Sequence, residues 1–409
     1  MSGEQHILPN GLTVAVDPLP GAESVALGLY ASVGSRSEPA HLSGLAHLVE
    51  HMVFKGAGGR DTRALAEAIE DVGGSLNAWT ARDQTVFHGR ALARDTELVA
   101  ELIADLVRAP LFDAEHLERE KHVILSELGE SVDSPDDLVH DHLFEAAFEG
   151  QPIGRSVLGS EKSVLGIAQR DCFDWLEGQF VPSRLVLAAS GKVDADAILK
   201  LAERLFGDLE PREVPATDPA SFTGGVRNDR RSFEQAHWCL AFEGVPADDQ
   251  RSPSLTLFVQ ALGGGTSSRL FQELREERGL AYSIYAWNQS FAETGLVGIG
   301  CAAERARAAE SVRLARDVLN GTADDLTVAE LDRARAQVEA SLLMSLETVQ
   351  GRADQMARSI EVFGRIISLD EVLKQLRAVT IDDARAVGRA LLEGPVAVAS
   401  VGAKLALAA

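Results

Sequence analysis

His47-Leu48-Val49-Glu50-His51 lies inside the run Leu45-Ala46-His47-Leu48-Val49-Glu50-His51-Met52-Val53-Phe54. Helical steps of about 100° put His51 roughly 40° from His47 and Glu50 roughly 60° the other way, so two imidazoles and a carboxylate share one side. The neighbours Leu45, Leu48, Val49, Met52, Val53 and Phe54 are apolar nearly all round, which predicts a buried helix. Polar groups in that setting need partners. Two histidines at i and i+4 can bind one Zn²⁺ through neutral imidazole nitrogens, and the intervening glutamate can then take a proton from the metal-bound water. The order is that of His-Glu-x-x-His inverted. The alternative is an accidental match, and the remainder of the chain decides between them.

At 409 residues the chain exceeds one ordinary domain and predicts two. Its composition, 45% hydrophobic and 25% charged, is that of a soluble protein with ample core. No apolar run reaches the roughly 18 residues that span a bilayer, and Met1-Ser2-Gly3-Glu4-Gln5-His6 lacks the basic and apolar regions of a signal peptide. A cytoplasmic protein without a membrane partner is therefore expected. Cys172, Cys239 and Cys301 are far apart and odd in number, which disfavours both a disulfide framework and a cysteine-based zinc site. The formal charge of −23 argues against nucleic acid as a partner and is compatible with cationic substrates.

The order of elements repeats, and it predicts an α+β protein of two homologous domains, each an antiparallel-rich sheet with helices packed on one face. In the first half, strands over 12–35 precede the motif helix, a helix from Thr62 to Val72, a strand pair across 75–92, and helices near 94–108 and 113–132. The second half offers strands near 232–244, a helix from Pro253 to Leu262, Gly263-Gly264-Gly265, another helix from Ser267, a strand pair across 280–302, and helices near 304–319 and 327–348. Glu210-Pro211-Arg212-Glu213-Val214-Pro215-Ala216-Thr217-Asp218-Pro219 has linker composition. These features predict domains over 1–210 and 229–409 joined by 211–228. Since His237 is the last histidine, residues 238–409 cannot build a histidine-based metal site. Metal chemistry belongs to the first half.

A catalytic zinc site takes three protein ligands plus a water. The predicted helix over 113–131 carries an apolar stripe of Leu117, Ile124 and Leu128, and Glu120 and Glu127, seven residues apart, fall within it. Glu115 and Glu118 lie on the polar side. A buried carboxylate wants a cation or a hydrogen-bond donor, so one of the two is expected to ligate, and helix geometry does not choose between them. A salt bridge to a packed arginine is the plainer alternative.

With these residues, from Leu8-Pro9-Asn10-Gly11-Leu12 to the C-terminal helices, the chain resembles the pitrilysin-type inverzincin metallopeptidases, closest to the mitochondrial processing peptidase and its single-chain bacterial relatives. In that family the third ligand stands 76 residues beyond the second motif histidine, which implies Glu127 as ligand beside His47 and His51. Glu120 then matches a supporting glutamate. The resemblance implies that Asn77-Ala78-Trp79-Thr80 is an edge strand taking an extended peptide by backbone pairing, and that Phe54 lines the pocket after the scissile bond. Arg275 and Tyr282, seven residues apart, match a pair that contacts substrate from the other half, the tyrosine hydrogen-bonding the developing oxyanion. Asp137 and Asp141 match an acidic pair that holds an arginine near the cleavage site, and at i and i+4 on a helix they would share a face. Gly263-Gly264-Gly265-Thr266-Ser267-Ser268 is family-like and lacks the Gly-Lys-Ser/Thr ending of a phosphate loop.

The expectation is a zinc endopeptidase with one Zn²⁺ per chain on His47, His51 and Glu127, Glu50 as general base, and the two domains forming a clamshell half. Unfolded peptides or presequence-like segments inside an enclosed chamber would be its substrates, and a homodimer its assembly. The rival expectation is a non-catalytic scaffold or partner subunit of the same fold, which should have lost ligands. A structural zinc in a peptide-binding chaperone would need a fourth protein ligand, and none is evident.

Overall fold

The computed structural model describes residues 3–214 and 217–406. In chain order its strands are β1 (Glu4–Ile7), β2 (Thr13–Pro18), β3 (Ser24–Ala31), the short pair β4 (Gly56–Ala57) and β5 (Arg60–Asp61), β6 (Ser75–Thr80), β7 (Thr85–Leu92), β8 (Leu185–Gly191), β9 (Gly225–Asp229), β10 (Gln235–Glu243), β11 (Ala281–Ser290), β12 (Gly295–Glu304) and β13 (Val396–Val401). Its first eight α-helices are α1 (Leu45–Val53), α2 (Thr62–Glu70), α3 (Thr96–Arg108), α4 (Ala114–Asp133), α5 (Pro135–Ala147), α6 (Glu161–Gly166), α7 (Gln169–Gln179) and α8 (Ala195–Phe206). They are followed by α9 (Ser252–Gly263), α10 (Ala308–Asp325), α11 (Val328–Ser345), α12 (Val349–Phe363), α13 (Leu369–Ala378) and α14 (Ile381–Glu393). Helix starts follow local chemistry: Asp61 caps α2 by accepting from the Ala64 amide, and Ser134 caps α5 ahead of Pro135. The α+β class read from the sequence is the class observed.

The chain forms two compact units that are discontinuous in sequence. The first gathers Met1–Leu128, Ser156–Thr217 and Leu343–Leu369; the second gathers Gly129–Arg155, Asp218–Leu342 and Asp370–Ala409. The contiguous division at a 211–228 linker is corrected on two counts. Residues 225–229 are strand β9, paired in parallel with β13, so the end of the expected linker is sheet. The chain also exchanges helices: α5, from the first half, packs in the second unit, and α12, from the second half, packs in the first. A linker's composition reports chain polarity, whereas unit membership is set by which sheet a helix covers.

The first unit holds a six-stranded sheet in the order β1-β2-β8-β3-β7-β6, antiparallel except for the β2–β8 pair. Alternate residues along a strand face opposite sides. Val14, Val16, Leu27, Leu29, Leu187 and Ala189 therefore join the core that contains α1, α3 and α8. Ala15, Tyr30, Val186 and Ala188 meet Ala353, Met356, Ala357 and Ile360 of α12 on the other side. The second unit holds a five-stranded sheet, β11-β12-β10-β13-β9. Trp238, Leu240 and Val398 face a core with α9, α10 and α14, while Cys239, Ala241, Ala397 and Ala399 face Leu138, Val139 and Leu143 of α5. Each exchanged helix thus gives its sheet a second covered face, which corrects the expectation of helices on one face only: the central strands are apolar on both sides and need cover on both. In the glycine run, a Cβ on Gly263 would sit 2.5 Å from the Ala286 amide nitrogen, so this glycine permits the close approach of α9 to β11.

Arg352 on α12 reaches the buried Asp17 of β2 at 2.9 Å, and the Tyr30 hydroxyl donates to Asp354 at 2.5 Å. These polar contacts hold the exchanged helix in register on the sheet, and Gln84 adds another by donating to Glu361 at 2.7 Å. Arg352→Met should cost about 3 kcal/mol, because it leaves the Asp17 carboxylate buried without its cation. Urea unfolding of Arg352→Met and of Arg352→Met with Asp17→Asn checks this, the second change recovering part of the loss.

Candidate metal centre

Helix α1 buries Leu45, Ala46, Leu48, Val49, Met52 and Val53, which leaves His47, Glu50 and His51 half-buried on its remaining side. On α4 the buried residues are Leu117, Glu120, Lys121 and Ile124. The imidazole rings of His47 and His51 stand 4.6 Å apart between centroids. Glu127 of α4 presents one carboxylate oxygen 3.8 Å from His47 Nε2 and the other 3.7 Å from His51 Nε2. One ligand atom from each of these three residues lies within 4.8 Å of the others, and this is the one such group found among the described residues.

These separations exceed a hydrogen bond. The 3.7 and 3.8 Å separations of Glu127 from the two imidazoles sit close to the roughly 3.3 Å between ligand atoms that a tetrahedral site with bonds of about 2.0 Å requires. Two nitrogens and a carboxylate oxygen are a donor set that zinc accepts. His47 Nδ1 and Glu50 Oε2 are buried without a hydrogen-bond partner. Burial, with the neighbouring His51, pushes the His47 imidazole down to about 4, so near neutral pH it is the uncharged ring that a metal needs.

Glu120 has different partners from Glu127. Its nearly buried carboxylate accepts from His51 Nδ1 at 3.2 Å and from Lys55 Nζ at 2.9 Å. Since a carboxylate only accepts, the proton of His51 is on Nδ1 and the lone pair of Nε2 is free toward Glu127. That is the arrangement by which a second carboxylate orients a metal-binding imidazole. Lys55 did not figure in the sequence reading. Its one signal is a cation placed four residues beyond His51 in an apolar run. For Glu50, burial raises the carboxyl above its ordinary range, with Glu127 adding to the effect and the Thr80 hydroxyl and His51 opposing it.

The other expected site residues divide between the units. Phe54 closes the C-terminus of α1 and is half-buried against the core of the first unit. Asn77 is exposed and Ala78 buried on β6, which ends the order of the first sheet and, among the described residues, pairs with β7 alone. Asp137, Asp141, Arg275 and Tyr282 belong to the second unit. Asp137 and Asp141 lie on α5, where Asp137 is exposed and Asp141 half-buried. Arg275 sits in a π-helical turn, Phe271–Glu277, with its guanidinium over the Phe271 ring. Tyr282 is 72% exposed at a bulge, where the β11–β12 register shifts between Ala281 and Ser283.

Residues 13–161 match the family model described as insulinase (peptidase family M16), and residues 171–338 match that of the peptidase M16 inactive domain. An uncharacterized zinc protease of Streptomyces coelicolor is 34% identical over 395 residues, covering 94% of this chain and 86% of that protein. The chain belongs to the insulinase family, peptidase family M16. A zinc protease of Bacillus subtilis, likewise uncharacterized, is 29% identical over 402 residues and covers 97% and 98% of the two chains. The fold recurs in a solved structure titled as a peptidase M16 inactive domain from Pseudomonas fluorescens, with TM-score 0.92, 21% identity and 99% of each chain covered. A protease from Helicobacter pylori shares it too, with TM-score 0.89, 19% identity and 98% and 99% coverage. His47, His51 and Glu127 fall in the stretch matched to the first model, and the stretch matched to the inactive-domain model holds none of them.

Two outcomes test the geometry. Glu127→Gln should weaken zinc binding much more than Glu120→Gln, for which a loss of about 10- to 100-fold is expected; competition titration with a chromophoric chelator compares them. In the metal-free protein His47 should remain neutral down to about pH 4, because burial and His51 both disfavour its cation, and a histidine NMR titration reads this directly.

Proposed function

We propose that the chain is a zinc-dependent endopeptidase acting on unfolded peptides or presequence-like segments. The observation that carries this reading is the convergence of His47, His51 and Glu127 on the side of α1 that carries the half-buried Glu50, whose Oε2 is enclosed without a hydrogen-bond partner. The zinc-protease descriptions of relatives that match over most of their length support it. Zinc, when bound by His47, His51 and Glu127, would supply Lewis acidity to the scissile carbonyl and lower the pKa of the attacking water.

The chain's own residues supply the rest. Glu50, with a carboxyl raised by burial, accepts the proton of the attacking water and returns it to the leaving amine. The unpaired edge of β6, at Asn77 and Ala78, offers backbone donors and acceptors to an extended peptide, which favours unfolded substrates. Phe54 lines the pocket beyond the scissile bond. Tyr282, exposed at its bulge, donates to the developing oxyanion, and Arg275 contacts the substrate. Asp137 and Asp141, i and i+4 on α5, engage one arginine near the cleavage site through charge-assisted hydrogen bonds. Completing the proposal are an enclosed chamber, a homodimer and a cytoplasmic setting. Among the described residues no helix is long and apolar enough to cross a membrane. A non-catalytic partner subunit would be expected to lack part of the His47, Glu50, His51 and Glu127 set, and this chain retains all four.

Glu50→Gln should keep one zinc per chain while reducing peptide hydrolysis by about 10²- to 10⁴-fold. Metal analysis and a quenched-fluorescence peptide assay measure both; near-normal turnover would remove Glu50 from its role. Arg275→Ala and Tyr282→Phe should leave zinc content intact and lower kcat/KM. Unchanged peptide kinetics in both variants would remove Arg275 and Tyr282 from these roles.

A further inference from the structure

Helix α1 is only nine residues long, and His47 lies in its first turn. A helix leaves its first amides without partners, and a side chain at the N-cap usually accepts one of them. Here the N-cap is Gly44, in the left-handed region at φ 94°, and it has no side chain to do so. A Cβ at this position would lie 2.7 Å from the Leu158 carbonyl oxygen, so a conventional capping residue has no room. The amides are taken instead by Glu38, six residues upstream of Gly44. One of its carboxylate oxygens accepts from Gly44 N at 2.9 Å and the other from Ala46 N at 2.7 Å.

Glu38 is 4% exposed, and a glutamate is rarely so buried unless it is paired. Its loop is pinned to the turn after β6: Ser35 N donates to the Ala81 carbonyl at 3.0 Å and Arg36 N to the Arg82 carbonyl at 2.8 Å. The carboxylate is also correctly placed for the positive end of the helix dipole. Helix α9, the counterpart of α1 in the second unit, starts on Ser252-Pro253 with a preset backbone and has no side-chain cap. The carboxylate clamp therefore accompanies the helix that carries the histidines.

We infer that Glu38 is a positioning residue, whose carboxylate holds the first turn of α1 and thereby keeps the His47 imidazole in place for the metal. This assignment rests on the metal reading of His47, His51 and Glu127. Without the clamp the first turn frays, which displaces His47 while His51, two residues before the helix end, keeps its Glu120 hydrogen bond. The effect falls on one ligand of three, so it differs from a general loss of stability.

The test compares Glu38→Ala, Glu38→Gln and Ile198→Val, the last a mild core change on α8 of the same unit. For each full-length protein, zinc affinity is measured by chelator competition, and amide exchange is measured on the zinc-free form. Glu38→Ala should weaken zinc binding about 30-fold and speed exchange of the Gly44 and Ala46 amides about tenfold. Glu38→Gln, which keeps one acceptor oxygen, should fall between it and wild type, and it serves if Glu38→Ala does not fold. Ile198→Val should bind zinc as wild type does even though its unfolding midpoint drops. Zinc affinity within threefold of wild type in both Glu38 variants overturns the inference, as does an equal loss in Ile198→Val. If wild type itself takes up no zinc, the metal reading fails and this assignment falls with it; that result is distinct from normal wild-type uptake with insensitive variants.

Discussion

The approach of Glu127 to the Nε2 atoms of both His47 and His51 constrains everything around it. Three polar side chains are drawn from two helices into a half-buried place where none hydrogen-bonds another of the three at close range. In the interior such groups are costly unless a cation or a donor meets them. Packing and polar contacts hold the groups where they sit. Six of the nine residues of α1 are buried, and Glu120 locks His51 through Nδ1 while Lys55 locks Glu120.

That chain of contacts explains why two glutamates on one stripe of α4 have different partners. Seven residues of helix carry Glu127 about 10 Å along the axis from Glu120. Both nevertheless reach His51, one at each ring nitrogen, because α4 passes alongside α1. The same stripe supplies the apolar contacts of Leu117 and Ile124 that fix this passage. Packing and chemistry are therefore set by one helix face.

Helix exchange has a related logic. Each sheet presents two apolar faces, since its central strands are buried on both sides. A sheet of that kind needs cover on both faces. In the first unit α12 brings that cover from the far half of the sequence, and in the second α5 does the same in return. Asp137 and Asp141 go with α5, so the acidic pair belongs to the second unit although only ten residues separate Asp137 from Glu127 of the first.

What the sequence determined by itself was whatever depends on local periodicity. The i, i+4 histidines with a glutamate between them, the buried helix around them, the stripe holding Glu120 and Glu127, and the strand pairs at 75–92 and 280–302 are all written in residues a few positions apart, where backbone geometry alone fixes which side chains share a face. The tertiary structure decided the matters that join distant positions. Helix periodicity left Glu120 and Glu127 equivalent, and the passage of α4 beside α1 separated them. Linker composition suggested contiguous domains, and the need to cover two faces of each sheet divided the chain otherwise. Glu38 and Lys55 carried no periodic signal, because a loop carboxylate and a post-helical ammonium acquire meaning only from what the fold brings within hydrogen-bond reach.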